Sequence, residues 1–317
     1  MAQLVYLRDK SILWNDDRSA FVMYAVRGRS CVALGDPVGS ADAAGELIRR
    51  FTSMCRQSEL TPVFYEASSA YLAVFAECQL RTFKVGEEAR VALETFSLTG
   101  GVKKPLRTAL HRMQRKGLTF RIVQPSEMAP LMKELQQVSD EWIAERNCGV
   151  KGFSVGFFDR EYVGRSPVAV MERGGRIEGF ASLLLGAGER ELSVDLMRHR
   201  VTAPPGVMDA LFAHVMQWAA SRGYAEFNLG MAPLAGLPAA RAWRVWTRAG
   251  QFVYRHGEAF YNFKGLRAYK SKFEPVWRPR YLVYPGGLAL PRVAADVAAL
   301  IAGGYVRMFL RPGRRAA

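Results

Sequence analysis

One stretch, Glu189 to Pro233, constrains this chain more than any other: ERELSVDLMRHRVTAPPGVMDALFAHVMQWAASRGYAEFNLGMAP. The alternating, apolar-rich run Glu191 to Met197 predicts a strand. A polar turn from Arg198 to Gly206 follows, carrying Arg198, His199, Arg200 and two prolines. Val207, Met208, Leu211, Phe212, Val215, Met216 and Trp218 then recur at three- and four-residue spacing, the mark of one apolar helix face. Arg222-Gly223 ends that helix, because glycine accepts the left-handed conformation of a helix C-terminus. Ala225 to Leu229 predicts a second strand, stopped by Gly230. Strand, loop, helix and strand make a βαβ-like unit, and ligands of such units lie beyond the carboxyl end of the first strand. Asp195, Arg198 and His199 stand at that end.

This layout resembles the core of an N-acetyltransferase-like (GNAT) fold. In that family the loop after the strand holds the coenzyme A pyrophosphate on backbone N–H groups. Here the loop contains Pro204 and Pro205, and two prolines remove two of those donors. An acyl donor other than coenzyme A is expected, with no cofactor.

The chain has 317 residues, half of them hydrophobic, enough for two ordinary domains with real cores. Its formal net charge of +15 points to a polyanionic partner, either nucleic acid or an anionic membrane surface. Cys31, Cys55, Cys78 and Cys148 show no CxxC spacing, so a reduced compartment is the simpler account. The four histidines are scattered and no metal site is expected. Charged residues follow Leu7 at once, which argues against a signal peptide. No apolar run reaches the roughly 18 residues that span a bilayer.

From the amino terminus, Ala20 to Val26 and Ser30 to Leu34 predict a hairpin. Ser40 is expected to cap a helix to about Glu59, followed by a strand at Thr61 to Glu66, a helix at Ser69 to Cys78 and a strand at Arg81 to Ala89. A helix over 102–117 exposes a basic face, with Lys104, Arg107, Arg112 and Arg115 as candidate phosphate contacts. A strand from Thr119, a helix from Ser126 to Arg146, an aromatic loop and a hairpin at 167–185 lead into the βαβ unit. Residues 119–283 thus repeat the layout of the first hundred. We expect an α/β protein of two related domains, 1–117 and 118–285, with a binding cleft at their interface. A C-terminal amphipathic basic helix is expected over 286–317, either lying on an anionic membrane or packing on the domain.

After Pro233 a helix is expected over 239–249. The segment from His256 to Leu282 then interleaves basic and aromatic residues, with Tyr261, Asn262, Lys264, Arg267 and Lys272 among them. Such interleaving suits phosphate contact combined with stacking on bases or lipid headgroups.

The segments SVDLMRHR, FNLGMAPL and GEAFYNFKGLRAYKSKFEPVWRPRYL carry a more specific resemblance. Over essentially its whole length the chain resembles the soluble C-terminal domain of aminoacyl-phosphatidylglycerol synthases, the multiple peptide resistance factors. The resemblance implies tandem GNAT-like domains of the Fem-transferase kind. It implies an enzyme that moves alanine or lysine, alanine being the first choice, from aminoacyl-tRNA to a glycerol hydroxyl of phosphatidylglycerol. It also implies work at the cytoplasmic face of the bacterial inner membrane, beside an N-terminal transmembrane region found in full-length members, and resistance to cationic antimicrobial peptides. In such a reaction Asp195 binds the aminoacyl ammonium or helps deprotonate the lipid hydroxyl, and Arg198 holds the lipid phosphate or the tRNA end. Glu258 is a second carboxylate, and Lys270 and Lys272 contact phosphate or the reacting carbonyl. His199, Tyr261, Asn262, Lys264 and Arg267 complete the substrate contacts. Two rivals stay open: a Fem-type transferase acting on a peptidoglycan precursor, and a nonenzymatic RNA- or membrane-binding module.

Overall fold

The computed structural model describes residues 2–146, 151–186, 188, 190–237 and 263–305. Glu258, Tyr261, Asn262, the side chain of Lys264 and the helix expected over 239–249 lie outside the described residues. In chain order the first half contains β1 (Ser11–Trp14), β2 (Ala20–Arg27), β3 (Ser30–Leu34), β4 (Val38–Gly39), α1 (Ala41–Gln57), β5 (Thr61–Ala67), α2 (Leu72–Glu77), β6 (Arg81–Ala92) and α3 (Lys104–Arg115). The second contains β7 (Thr119–Val123), α4 (Met132–Arg146), α5 (Arg160–Gly164), β8 (Val168–Arg173), β9 (Arg176–Leu185), β10 (Glu191–His199), α6 (Val207–Ser221) and β11 (Glu226–Pro233). It closes with α7 (Phe263–Ser271), β12 (Val276–Tyr284) and α8 (Leu290–Ala302).

Among the described residues the strands form one sheet in the order β1-β2-β3-β5-β12-β6-β11-β10-β9-β8-β7, with β4 beside β2. Each half holds a parallel βαβ unit, β3-α1-β5 in the first and β10-α6-β11 in the second. The last strands are exchanged. β6 follows β5 in the chain but pairs with β11, β12 follows β11 but pairs with β5, and β6 and β12 pair antiparallel with each other. Each unit would otherwise end on an exposed strand edge, and the exchange covers both edges. Chain order therefore places the strand at 276–284 among second-half residues, while the sheet places it next to β5.

Helices cover both faces. Phe51, Phe64 and Phe75 fill the core under α1 and α2. Phe212, Phe227 and Phe273 do so under α3, α6 and α7. A third core on the opposite face runs from Met23 and Leu34 to Leu135, Tyr162 and Phe180. Of the seven apolar positions read from the sequence of α6, Val207, Leu211, Phe212, Val215 and Met216 are buried, while Met208 and Trp218 are half-buried.

Several boundaries differ from expectation. The helix expected from Ser126 begins at Met132, behind two short 3-10 turns, and the Glu127 carboxylate accepts from the Gln124 N–H at 2.9 Å. Ser40 precedes α1 without a side-chain capping bond. Arg198 and His199 belong to β10 rather than to the turn after it. Gly230 does not stop β11, which runs on to Pro233. At the C-terminus, α8 ends at Ala302 and buries Val293, Val297 and Ala299. Its Asp296 accepts from Ser30 Oγ at 2.5 Å and from the Tyr305 hydroxyl, so within 290–302 the apolar face packs on the sheet rather than remaining open to a membrane.

Candidate active site

β10 and β11 pair in parallel through Glu191↔Glu226, Leu192↔Phe227 and Ser193↔Asn228, then part, although both strands continue. β10 shifts register against β9 between Val194 and Met197, and β11 shifts against β6 between Asn228 and Met231. Gly230, at φ +79°, supplies the bulge in β11, a backbone conformation that suits glycine. This opening lies at the carboxyl end of the βαβ unit, where the sequence predicts a ligand.

Lys270 reaches one rim of the opening from α7. Its Nζ donates to the carbonyls of Gly230 at 3.0 Å and Met231 at 2.8 Å, which commits two of the three N–H donors of an ammonium. Burial pulls its pKa down and the carboxylates of Glu66 and Glu88 oppose that pull, leaving it at about 8.

Asp195 occupies the other rim. The residue is half-buried, but its carboxyl group is enclosed, and burial raises its pKa against the Tyr162, Gly156 and Arg198 contacts. It accepts from the Gly156 N–H at 2.9 Å and the Tyr162 hydroxyl at 2.8 Å. Its neighbour Arg198 lies over the Trp142 ring at 4.0 Å, and His199 Nδ1 is 2.9 Å from the Arg200 carbonyl oxygen. A β-carbon at Gly156 would fall 1.7 Å from Asp195 Oδ2. Gly156→Ala will therefore expel the carboxylate and break both hydrogen bonds, at a cost of about 1.5–3 kcal/mol for bonds to a charged group. Urea unfolding checks this, and an unchanged midpoint refutes the assignment.

Between the halves lies a cavity of about 140 Å³, lined by Met23, Leu34, Gly35, Asp36, Val38, Glu88, Arg90, Glu191, Asn228 and Arg280. Arg90 anchors its polar wall, contacting Glu88 and Glu191 at 2.6 Å and Glu226 at 2.8 Å. Arg280 binds Glu88 at 2.5 Å and lies 3.8 Å from Asp36. Burial would raise the pKa of Glu88, but the two guanidiniums outweigh it and hold this carboxylate below its ordinary range. Three carboxylates face two guanidiniums in the lining, so a cation is favoured there despite the chain's +15 charge.

The remaining predicted residues separate. Lys272 is paired with Asp209 at 3.0 Å. Arg267 pairs with Glu87 and lies over Trp277 at 4.5 Å. On α3, Arg107 donates to the carbonyls of Leu98 and Gly100, and Arg112 donates to that of Pro205, while Lys104 and Arg115 are exposed. Glu66, Glu88, Arg90, Tyr162, Glu191 and Arg280 were not found from sequence. Most lie on strands whose residues read locally as ordinary alternation, and only strand pairing brings them together. The start of α6 fits a coenzyme A pyrophosphate poorly. Pro204 and Pro205 offer no N–H, the Ala109 side chain lies against Gly206, and the Asp209 carboxylate occupies the first helical turn. No group of three or more metal-ligating side chains occurs among the described residues.

In fold the chain is GNAT-like, of the kind seen in Fem-type proteins. FemX superposes with a TM-score of 0.55 at 8% identity, covering 92% of this chain and 92% of that one, a likeness of fold alone. The profile described as "Phosphatidylglycerol lysyltransferase, C-terminal" matches residues 1–284, and the chain belongs to that family. Phosphatidylglycerol lysyltransferase of Bacillus subtilis is 37% identical over 286 residues, covering 90% of this chain and 33% of the relative. That of a Staphylococcus aureus strain is 33% identical, covering 90% and 34%. The chain thus spans about a third of these relatives' length. Among solved structures, the C-terminal domain of a protein described as a lysylphosphatidylglycerol synthetase from Agrobacterium fabrum matches at TM-score 0.86 and 42% identity, covering 96% and 92%. L-PGS of Bacillus licheniformis matches at 0.83 and 37%, covering 95% and 91%.

Proposed function

We propose that this chain transfers an aminoacyl group from aminoacyl-tRNA to a glycerol hydroxyl of phosphatidylglycerol, without coenzyme A, at the cytoplasmic face of the inner membrane. The observation that carries this reading is the buried Lys270 ammonium, fixed on two carbonyls where β10 and β11 part, in a chain of this family. The glycerol oxygen attacks the ester carbonyl carbon, and the carbonyl oxygen becomes an oxyanion. The ribose oxygen of the tRNA then leaves, taking up the proton that the glycerol hydroxyl releases. One ester is exchanged for another, so catalysis consists of positioning and of stabilising the oxyanion. The remaining N–H of Lys270 supplies that stabilisation. Asp195, held by Tyr162 and Gly156, and Arg198 form the opposite wall and orient the aminoacyl ammonium and a phosphate. Exposed Lys104 and Arg115 on α3 contact the tRNA backbone.

The acid-rich cavity and the names of the curated relatives support lysine over alanine as the transferred residue. A cavity of roughly 150 Å³ accommodates benzene, so a space of about 140 Å³ suits a lysyl side chain. Among the described residues no helix is long and apolar enough to cross a membrane. The test therefore presents phosphatidylglycerol both in vesicles and in detergent micelles, with tRNA charged with radiolabelled lysine or alanine. Label from lysyl-tRNA is expected in the lipid extract. Label that stays with the tRNA under both presentations overturns the reading.

A further inference from the structure

We infer that Glu66 is a positioning residue of this site: from a strained bulge its carboxylate keeps the Lys270 ammonium charged where the strands part. The inference rests on the role proposed above for Lys270. Glu66 is the bulge residue between β5 and β12, where the register passes from Tyr281↔Ala67 to Leu282↔Tyr65. Its φ is +65°, and among the described non-glycine residues with positive φ it is the one inside a strand. The exchange of strands gives this position a counterpart. β11 bulges against β6 as β5 bulges against β12, and there Gly230 takes φ +79°. A glutamate thus holds, in the first half, a conformation that the second half gives to glycine. It is also buried, with 8% of its surface exposed, and backbone strain combined with a buried acid points to function rather than packing.

A chain of contacts joins the two bulges. Arg280 donates to the Glu66 carbonyl at 3.4 Å and to the Glu88 carboxylate at 2.5 Å. Glu88 is the register partner of Met231, whose carbonyl accepts from Lys270. Among the described residues, the charged groups acting on Glu66 are Arg280 on β12, Glu88 on β6 and Lys270 on α7. Those acting on Lys270 are Glu66 and Glu88, while Arg267 on its own helix and Lys272 in the turn after it are taken by Glu87 and Asp209. Of Glu66 and Glu88, the former acts more strongly on Lys270, and Glu88 is shared with Arg90 and Arg280. Burial brings the Glu66 pKa up to about 7, against about 8 for Lys270, so both groups are charged together only in a narrow window about neutrality.

Transfer should therefore fall as pH rises through about 8, when Lys270 loses its proton. Without the Glu66 charge burial is opposed less, and that loss should come about one pH unit lower. The experiment titrates the 13Cε signal of Lys270 in lysine-labelled protein, assigned by its absence from Lys270→Arg, beside the pH profile of transfer. The variants are Glu66→Gln, Glu66→Gly and Glu66→Asp. Gln and Gly should both lower the midpoint and the alkaline limb together, and Asp should restore them in part. Gly also relieves the backbone, so its melting temperature should rise, whereas a merely structural glutamate would leave a less stable protein. A Lys270 midpoint unchanged in both Gln and Gly overturns the inference, as does a shifted midpoint that the alkaline limb does not follow. If the parent transfers nothing, the reading of the reaction fails, while a midpoint shift still upholds the electrostatic coupling of Glu66 to Lys270.

Discussion

Replacing Lys270 with methionine will leave the protein folded and lower transfer to phosphatidylglycerol by about a hundredfold or more, the effect of deleting one oxyanion donor. The side chain is 5% exposed and its ammonium rests on two carbonyls. Methionine keeps the length and apolar packing of the stem and removes only the charge and the donors. Arginine will not restore the rate, because a planar guanidinium cannot place three donors about a point as an ammonium does. Single-turnover transfer from charged tRNA measures the loss, and circular dichroism melting checks the fold. Transfer within threefold of the parent would remove Lys270 from the chemistry and return attention to Asp195 and Arg198.

The second large effect is on stability. Arg90 ties β6 to β10 and β11 by contacting Glu88, Glu191 and Glu226 together. Arg90→Met strands three carboxylates around one vacated guanidinium. Breaking a buried ion pair from one side costs about 3–5 kcal/mol. The lower end is expected here, about 3 kcal/mol, because Glu88 keeps Arg280, Glu191 keeps Asn228 and Glu226 keeps Arg278. The sign of the pH dependence follows from Glu88, whose folded-state pKa is depressed. Its stabilising contribution is present above the ordinary carboxylate range and is lost as pH falls through its folded value. The gap between parent and variant should therefore be widest near neutrality and close as the medium is acidified. Urea unfolding at a series of pH values tests both magnitude and trend. A gap that does not narrow in acid would mean that Arg90 acts through its packing rather than its charge.

Much of the βαβ unit that bears the site was legible in the chain. Seven apolar residues at helical spacing predict α6, and the alternation from Glu191 predicts β10 nearly to its end. Asp195 was singled out because it falls where such units bind ligands, and the parting of the strands occurs two residues before it. Lys270 was singled out from its basic-aromatic surroundings, but nothing local showed that it is buried or that it reaches back to β11. Gly230 was read as a strand terminator, since glycine interrupts a strand in either case. Only the pairing of β11 with β6 distinguishes a bulge from an end. Glu66 gave no local signal, because its positive φ is imposed by β12, more than two hundred residues away in the chain.

By itself, then, the sequence determined which segments become strands and helices, which faces they bury, and the basic, aromatic-rich character of the segment from His256 to Leu282. Those properties depend on side chains within one or two turns of each other. The tertiary structure alone decided which strands exchange, where the sheet opens and which charges share the cavity between the halves. Pairing across the exchanged strands joins Glu66, Glu88, Arg90 and Arg280 from three distant segments. Burial there, rather than residue type, moves a glutamate up to about 7 and a lysine down to about 8.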